Sequence, residues 1–333
     1  MKKDWIAEFF CAMRDCGEDV SIVYGEYKGA AHAQPRWVLL PHDKFDGMSG
    51  FGHVLRAQGC RVDALPELRG DQYSFLRAVR GFFAVLPVLG IKRREWRKFD
   101  GSRALAFLPA EERVAWKMFT VEQTQAIVAA AKKEGVTVNT YLLFHLDATL
   151  ASSGLTAAQS RRWMIPVNLR GAVKREVEDS PHMSFIAVDV ASDGSPSQLQ
   201  TQVTGLKQRA CHWGSWAALH IGKLVGAKAM RSDIRNRESK QHGWTGIFSN
   251  LGIWKVADGG SWIFCPAITR SYPVGAGCVT LNGRMSLSLQ LHDGFNESLQ
   301  TTCRLLEAWT DACLRKPIPE EADHVELPLS ATG

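Results

Sequence analysis

Several features common in chains of this size are missing from these 333 residues. The eight cysteines, at positions 11, 16, 60, 211, 265, 278, 303 and 313, include no CxxC pair and no close spacing of the kind that builds a zinc site. They read as reduced, mostly buried thiols. The apolar run GFFAVLPVLG, residues 81 to 90, falls well short of the roughly 20 residues that span a bilayer, and Pro87 interrupts it. At the N-terminus Asp4, Glu8, Arg14 and Asp15 break up any signal-peptide core, so the expected location is the cytoplasm. No GxSxG elbow, P-loop, GxGxxG fingerprint or HExxH helix occurs, which removes the usual support for serine-hydrolase, nucleotide-binding and zincin chemistry. Internal repeats and low-complexity linkers are absent, and only the tail after about residue 316 reads as disordered.

What is present is a globular composition, 45% hydrophobic, long enough for one large core or two moderate ones. The net charge of +6 favours anionic ligands weakly and does not indicate nucleic acid. One charge block stands out: IKRREWRKF, residues 91 to 99, directly after the apolar run. It reads as a solvated helix face, a phosphate-binding patch, or, taken with the run before it as residues 81–99, a peripheral membrane contact.

Periodicity places a helix over 4–16, strands in DVSIVYGEY and RWVLLPH, and helices over 48–57 and 71–86, the second ending near Pro87. The texture changes around 101–112, which divides the chain into 1–112 and 113–333. Beyond it come a strand in RVAWKMFT, a helix over 121–134 closed by Gly135, and a helix over 136–154 with Asn139 or Thr140 near its start. Strands in RRWMIPVNLRG and SFIAVDVAS, helices over 195–211 and 213–230, and the strand WTGIFSNLG follow. A strand-rich tail carries an Asn282-Gly283 hairpin signal, and an amphipathic helix over 297–314 ends the pattern. The alternation predicts an α/β protein with mixed β-sheets.

Chemistry concentrates in PHDKFDGMSGF, residues 41 to 51. A histidine at a strand end suits general-base work because its ordinary pKa lies near neutrality. Asp46, four residues on, either caps the following helix or pairs with an arginine to hold the turn. Gly47 permits a backbone conformation or a close approach that a side chain would block. The plainer reading makes His42 an ordinary strand-end residue. Of the other histidines, His145 lies in an apolar helix and reads as a core residue, and His292 sits in the turn-like LHDG.

The stretch resembles the HHxxxDG motif of the chloramphenicol acetyltransferase-like superfamily, which includes peptide-synthetase condensation domains and the BAHD acyltransferases. The second histidine falls on His42, the aspartate on Asp46 and the glycine on Gly47. EGVTVNTYLLFHLDATLASSG, RRWMIPVNLRG, IFSNLG and MSLSLQLHDGF resemble further family segments in the same order, so the resemblance covers about residues 20 to 314. It implies two chloramphenicol acetyltransferase-like halves with a tunnel between them, 1–112 being a reduced N-terminal half and 113–333 the C-terminal acyltransferase-like half. Two departures stand out: Pro41 replaces the first histidine, and the lead before the motif is short. A shortened half leaves the tunnel open to large acceptors or completed by another subunit in a homo-oligomer.

The implied activity moves an acyl group from a thioester, acyl-CoA or acyl-carrier protein, to a hydroxyl or amine of a small-molecule or lipid-linked acceptor. No bound cofactor is implied, and a carrier protein would act in trans. His42 would take the acceptor proton, Ser249 would donate to the oxyanion, and Arg170 would pair with Asp46. Duller alternatives make Arg170 a surface residue and Ser249 with Asn250 a turn. Two other functions stay open: a stand-alone condensation-type amide former, and a non-catalytic binding homologue.

Overall fold

Local signals start and stop most elements of the computed structural model, which describes residues 4–29, 34–68, 70–89, 96, 99–101, 108–156, 158–173, 179–220, 222–239, 244–257 and 259–314. Most of the basic block at 91–99, the centre of the 101–112 boundary and the tail after 314 lie outside the described residues. Asp4 accepts the N–H groups of Ile6 and Ala7 and opens helix α1, Trp5–Asp15. Strands β1 (Ser21–Tyr27) and β2 (Arg36–Pro41) precede helix α2 (Gly47–Ala57) and helix α3 (Phe75–Leu89). A short helix α4 (Ala110–Arg113) leads into strand β3 (Val114–Met118).

Thr120 and Gln123 form a reciprocal capping box on α5 (Val121–Lys133), and Thr137 caps α6 (Val138–Ser152), with Asn139 and Thr140 in its first turn. Strands β4 (Ser160–Asn168) and β5 (Met183–Ala191) come next. The two helices expected over 195–230 are three: α7 (Pro196–Gln208), α8 (Cys211–Leu219) and α9 (Gly222–Ser239). Ala210 at φ 60° breaks the first pair, and Gly226 at φ 82° bends α9. The chain then forms β6 (Gly246–Trp254), β7 (Ser261–Cys265), β8 (Val274–Leu281), β9 (Arg284–Leu291) and α10 (Leu299–Leu314). Asn282 and Gly283, at φ 50° and 82°, make the β8–β9 turn in the left-handed conformation that an Asn-Gly pair accepts.

Two expectations need correction. Helix α3 runs through Pro87 instead of ending before it. A proline two residues before the last residue of a helix withdraws a single donor, that for the carbonyl four residues earlier, and the helix continues only to Leu89. All eight cysteines are free, but four of them (Cys11, Cys16, Cys60 and Cys303) are only half-buried.

The architecture is two-lobed α/β. A six-stranded mixed sheet, ordered β3-β9-β8-β6-β4-β5, has β6 parallel to both neighbours and every other pairing antiparallel. Its apolar core includes Leu142, Leu146, Trp163, Phe248, Leu287 and Trp309. A three-stranded antiparallel sheet, β2-β1-β7, packs on α2 through Tyr24, Phe51 and Phe264. The small sheet thus joins residues 21–41 to residues 261–265. No helix among the described residues is long and apolar enough to cross a membrane.

The lobes meet along a polar seam. Ser286, Ser288 and Gln290, alternate residues of β9 and therefore on one face, donate to the carbonyls of Trp262, Phe264 and Pro266 at 2.8, 2.5 and 2.5 Å. A Cβ on Gly277 would sit 1.9 Å from the Phe264 carbonyl oxygen, so glycine is what lets β8 approach β7. All three donors are buried. Ser288→Ala would leave the Phe264 carbonyl without this donor, and urea unfolding should show a loss of about 1–3 kcal/mol; an unchanged midpoint would mean the seam contributes shape alone.

Candidate active site

Strands β4 and β6 pair only at Trp163–Gly246 and Met164–Ile247 and then part. Pro166 and Asn168 on one side and Ser249 and Asn250 on the other line the cleft that results, together with His42, Asp46, Gly47 and Arg170. Its volume is about 60 Å³. A gap where a parallel pair separates is where α/β sheets commonly bind ligands.

The turn after β2 sets the histidine. The Pro41 carbonyl accepts the N–H groups of Lys44 and Phe45, each at 3.1 Å, and the Phe45 carbonyl lies 2.9 Å from His42 Nδ1. A carbonyl only accepts, so Nδ1 carries the proton and Nε2 is the basic nitrogen. Phe10 of α1 stacks on the imidazole with ring centroids 3.9 Å apart and planes 13° apart. Burial holds the His42 pKa below its ordinary 6.5, against the opposing pull of the Asp46 carboxylate and the Phe45 carbonyl. The ring is therefore neutral at neutral pH.

Asp46 fills both of the roles that its position suggested, one with each oxygen. Oδ1 accepts the Met48 and Ser49 N–H groups at 3.0 and 2.9 Å and caps α2, with Ser49 Oγ accepting the Asp46 N–H in return. Oδ2 receives Arg170 Nη2 and the His182 N–H, both at 2.8 Å. Arg170 is a buried residue rather than a surface one; it also donates to Asn168 Oδ1 and the Ser180 carbonyl, each at 3.3 Å. Burial pushes the Asp46 carboxyl up, but Arg170 and the Ser49 and His182 N–H groups outweigh it and leave the pKa lowered.

Gly47 acts through close approach, not through an unusual φ. An added Cβ would lie 2.8 Å from Leu251 Cδ2 and 3.2 Å from the Phe264 ring. Ser249 lies on β6 and is a strand residue rather than part of a turn; its hydroxyl has no hydrogen-bond partner among the described residues. The other two histidines are built differently. His145 packs its ring against Tyr141 on α6, while buried His292 accepts the Gly294 N–H and is held down to about 4, chiefly by burial. Neither lines the cleft.

Three participants escaped the sequence reading. Phe10 carried only a helical spacing, His182 contributes a backbone N–H that no residue type advertises, and Asn168 stood unremarked in VNLRG. Among the described residues no group of His, Cys, Asp or Glu could hold a metal ion.

Replacing Arg170 by Met should strand a buried carboxylate and cost about 3–5 kcal/mol at neutral pH, measured by urea unfolding. The wild-type Asp46 pKa is depressed, so its stabilisation is present above the ordinary carboxylate pKa and is lost as pH falls through the folded value. Without the guanidinium, protonation instead relieves Asp46. The gap between the two proteins should therefore narrow in acid, and a gap independent of pH would contradict the pairing as its source.

No protein-family model matches the sequence, and no curated protein matches it. Solved structures do. The EpoB NRPS cyclization-docking bidomain from Sorangium cellulosum aligns with TM-scores of 0.55 and 0.54 in two crystal forms, at 13% and 12% identity, over 85% and 84% of this chain. A wax ester synthase/diacylglycerol acyltransferase from Marinobacter aquaeolei VT8 aligns at 0.50 with 13% identity, over 83% of this chain and 66% of its own. The chain spans 60% of the length of the bidomain. Its two lobes and mixed sheets thus have the chloramphenicol acetyltransferase-like fold that these structures share.

Proposed function

We infer that this protein is an acyltransferase in which His42 Nε2 takes the proton of an acceptor hydroxyl or amine as it attacks a thioester carbonyl. The observation that carries this reading is the Nδ1–H donated to the Phe45 carbonyl at 2.9 Å, which leaves Nε2 basic on a histidine that lines the cleft. The C–O or C–N bond forms and the C–S bond breaks. The proton held on His42 leaves with the thiolate, so the imidazole is regenerated. Ser249, whose hydroxyl is not engaged by any described residue, is the donor for the oxyanion. Asp46, Gly47 and Arg170 hold the turn and take no part in proton transfer.

The donor is an acyl-CoA or an acyl-carrier protein acting in trans. Proteins that share this fold include an NRPS cyclization-docking bidomain and a wax ester synthase/diacylglycerol acyltransferase, which is why both donor classes are considered. A larger, half-open groove of about 590 Å³, lined by Val121, Val128, Ala129, Val138, Ile253 and Met285 with Gln125 and Lys132 among its polar members, shares Asn250 with the cleft. The Asn250 amide donates to Asn139 Oδ1 at 2.6 Å and stands between the two spaces. A mostly apolar space of that size suits an aliphatic chain.

Thiol release from short and long acyl-CoAs and from carrier-bound donors, with pooled alcohols and amines, tests the assignment. His42→Ala should lower acceptor-dependent release by about 10²–10⁴-fold with the fold intact. An alanine variant that works as well as wild type removes His42 as the base. Release from carrier-bound donors alone identifies a condensation-type enzyme, and no release from any donor points to a non-catalytic homologue. Because the base must be unprotonated and burial lowers its pKa, kcat/KM should rise with pH through a midpoint below 6.5; a midpoint well above it would exclude His42. Val128→Trp, which fills the larger groove, should reduce kcat/KM for long acyl chains roughly tenfold or more relative to acetyl.

A further inference from the structure

Helix α3 is apolar on two opposite sides, and the fold uses one of them. Ala78, Gly81 and Val85 face inward; a Cβ on Gly81 would sit 2.0 Å from the Ala210 carbonyl oxygen, so this side lies flush against the start of α8. Phe75, Leu76, Val79, Phe83 and Leu86 are exposed, with Leu76 at 77%, Phe75 at 71% and Phe83 at 66% of their full accessibility. At 3.6 residues per turn these five fall in a single stripe about 100° wide, on the far side from the packed one. A stripe of five large apolar side chains on one helix is more than the isolated exposures that need no explanation.

Charge identifies what covers it. Residues 73–99, which hold this helix and the sequence after it, contain Arg77, Arg80, Lys92, Arg93, Arg94, Arg97 and Lys98 against a single acid, Glu95. Their net charge of +6 equals that of the entire chain, so the rest of the protein carries equal numbers of acids and bases. Arg77 is paired with Asp71; Arg80 is exposed beside the stripe. A second copy of the chain is a poor occupant, because a two-fold interface on this stripe would pair two copies of a helix that carries Arg77 and Arg80 and no acid. An apolar helical stripe with Arg80 at its edge, followed in the sequence by a one-signed basic run, matches an anionic lipid surface, which takes apolar side chains into its acyl boundary and basic ones at its headgroups.

We propose that the outer stripe of α3 (Phe75, Leu76, Val79, Phe83 and Leu86) is a docking face for an anionic membrane surface. The helix, 15 residues and about 22 Å long, lies on the bilayer and does not enter it end-on. The proposal is independent of the acyl-transfer reading and concerns where the enzyme works, not how.

Vesicle flotation tests it. Wild-type protein should float with phosphatidylcholine vesicles containing about one third phosphatidylglycerol, far less with phosphatidylcholine alone, and should be released as salt rises. Leu76→Ser/Phe83→Ser should cut partitioning roughly tenfold or more. Phe75→Ser, at the exposed first residue of the helix, provides a milder second variant, and unchanged melting curves would exclude unfolding as the cause. The proposal is overturned if the wild type stays unbound, if the double variant floats equally well, or if salt leaves binding unchanged. It is also overturned if the variants only convert a wild-type dimer to monomer, or abolish binding to an acidic protein with no change in vesicle binding.

Discussion

The carboxylate of Asp46 is the fixed point of the candidate site. One oxygen satisfies the first turn of α2 and the other satisfies the Arg170 guanidinium and the His182 N–H, so three separate stretches of chain converge on a single buried group. A carboxylate so enclosed is tolerable only when each lone pair is occupied, and here the occupants are the elements that frame the cleft. The same residue that starts α2 thereby fixes the end of β4 and the beginning of β5. His42, four residues earlier, inherits its position from that junction.

The histidine is oriented by different means. Its Nδ1 proton is held by a backbone carbonyl instead of a carboxylate, and its ring rests on Phe10, so no negative partner hydrogen-bonds to it. An imidazole held this way stays neutral and gains little from taking a proton, in contrast to a histidine backed by an aspartate. In the proposed reaction the work then falls to the arrangement of substrate and His42 in a confined cleft and to Ser249 as the proposed donor. That separation lets Asp46 be buried and fully engaged while Nε2 of His42 stays unbonded to it.

Much of this was legible in the sequence, for identifiable reasons. The Asn282-Gly283 turn, the Gly135 helix stop and the HxxxDG spacing are local signals, readable because the residue and its structural consequence lie within a few positions. Asp46 and Arg170 could be paired because each sat in a segment with its own resemblance. The alternation that buries one side of β5 was plain in SFIAVDVA. What stayed hidden was relational. Ser286, Ser288 and Gln290 mark β9 as having a polar face, but its meaning depends on the carbonyls of β7, a five-residue strand with no distinctive composition. The break at Ala210 has no glycine or proline to announce it, and Phe10 and His182 act through a stacking plane and a main-chain N–H.

Strand β7 also bears on the order in which the protein can be made. Its partner β1 lies more than 200 residues earlier, and Val23 faces Cys265 across the ladder. During synthesis, β1, β2 and the HxxxDG turn emerge long before the strand that closes their sheet and the seam that carries it. At roughly 5–20 residues per second, the histidine segment waits on the order of 10–50 s for them. Closing so large a loop is slow, and until then the apolar side of β1 has no permanent cover. The turn that carries His42 is thus translated well before the strands that close around it, and during that interval the apolar face of β1 is open to the chaperones that attend nascent chains.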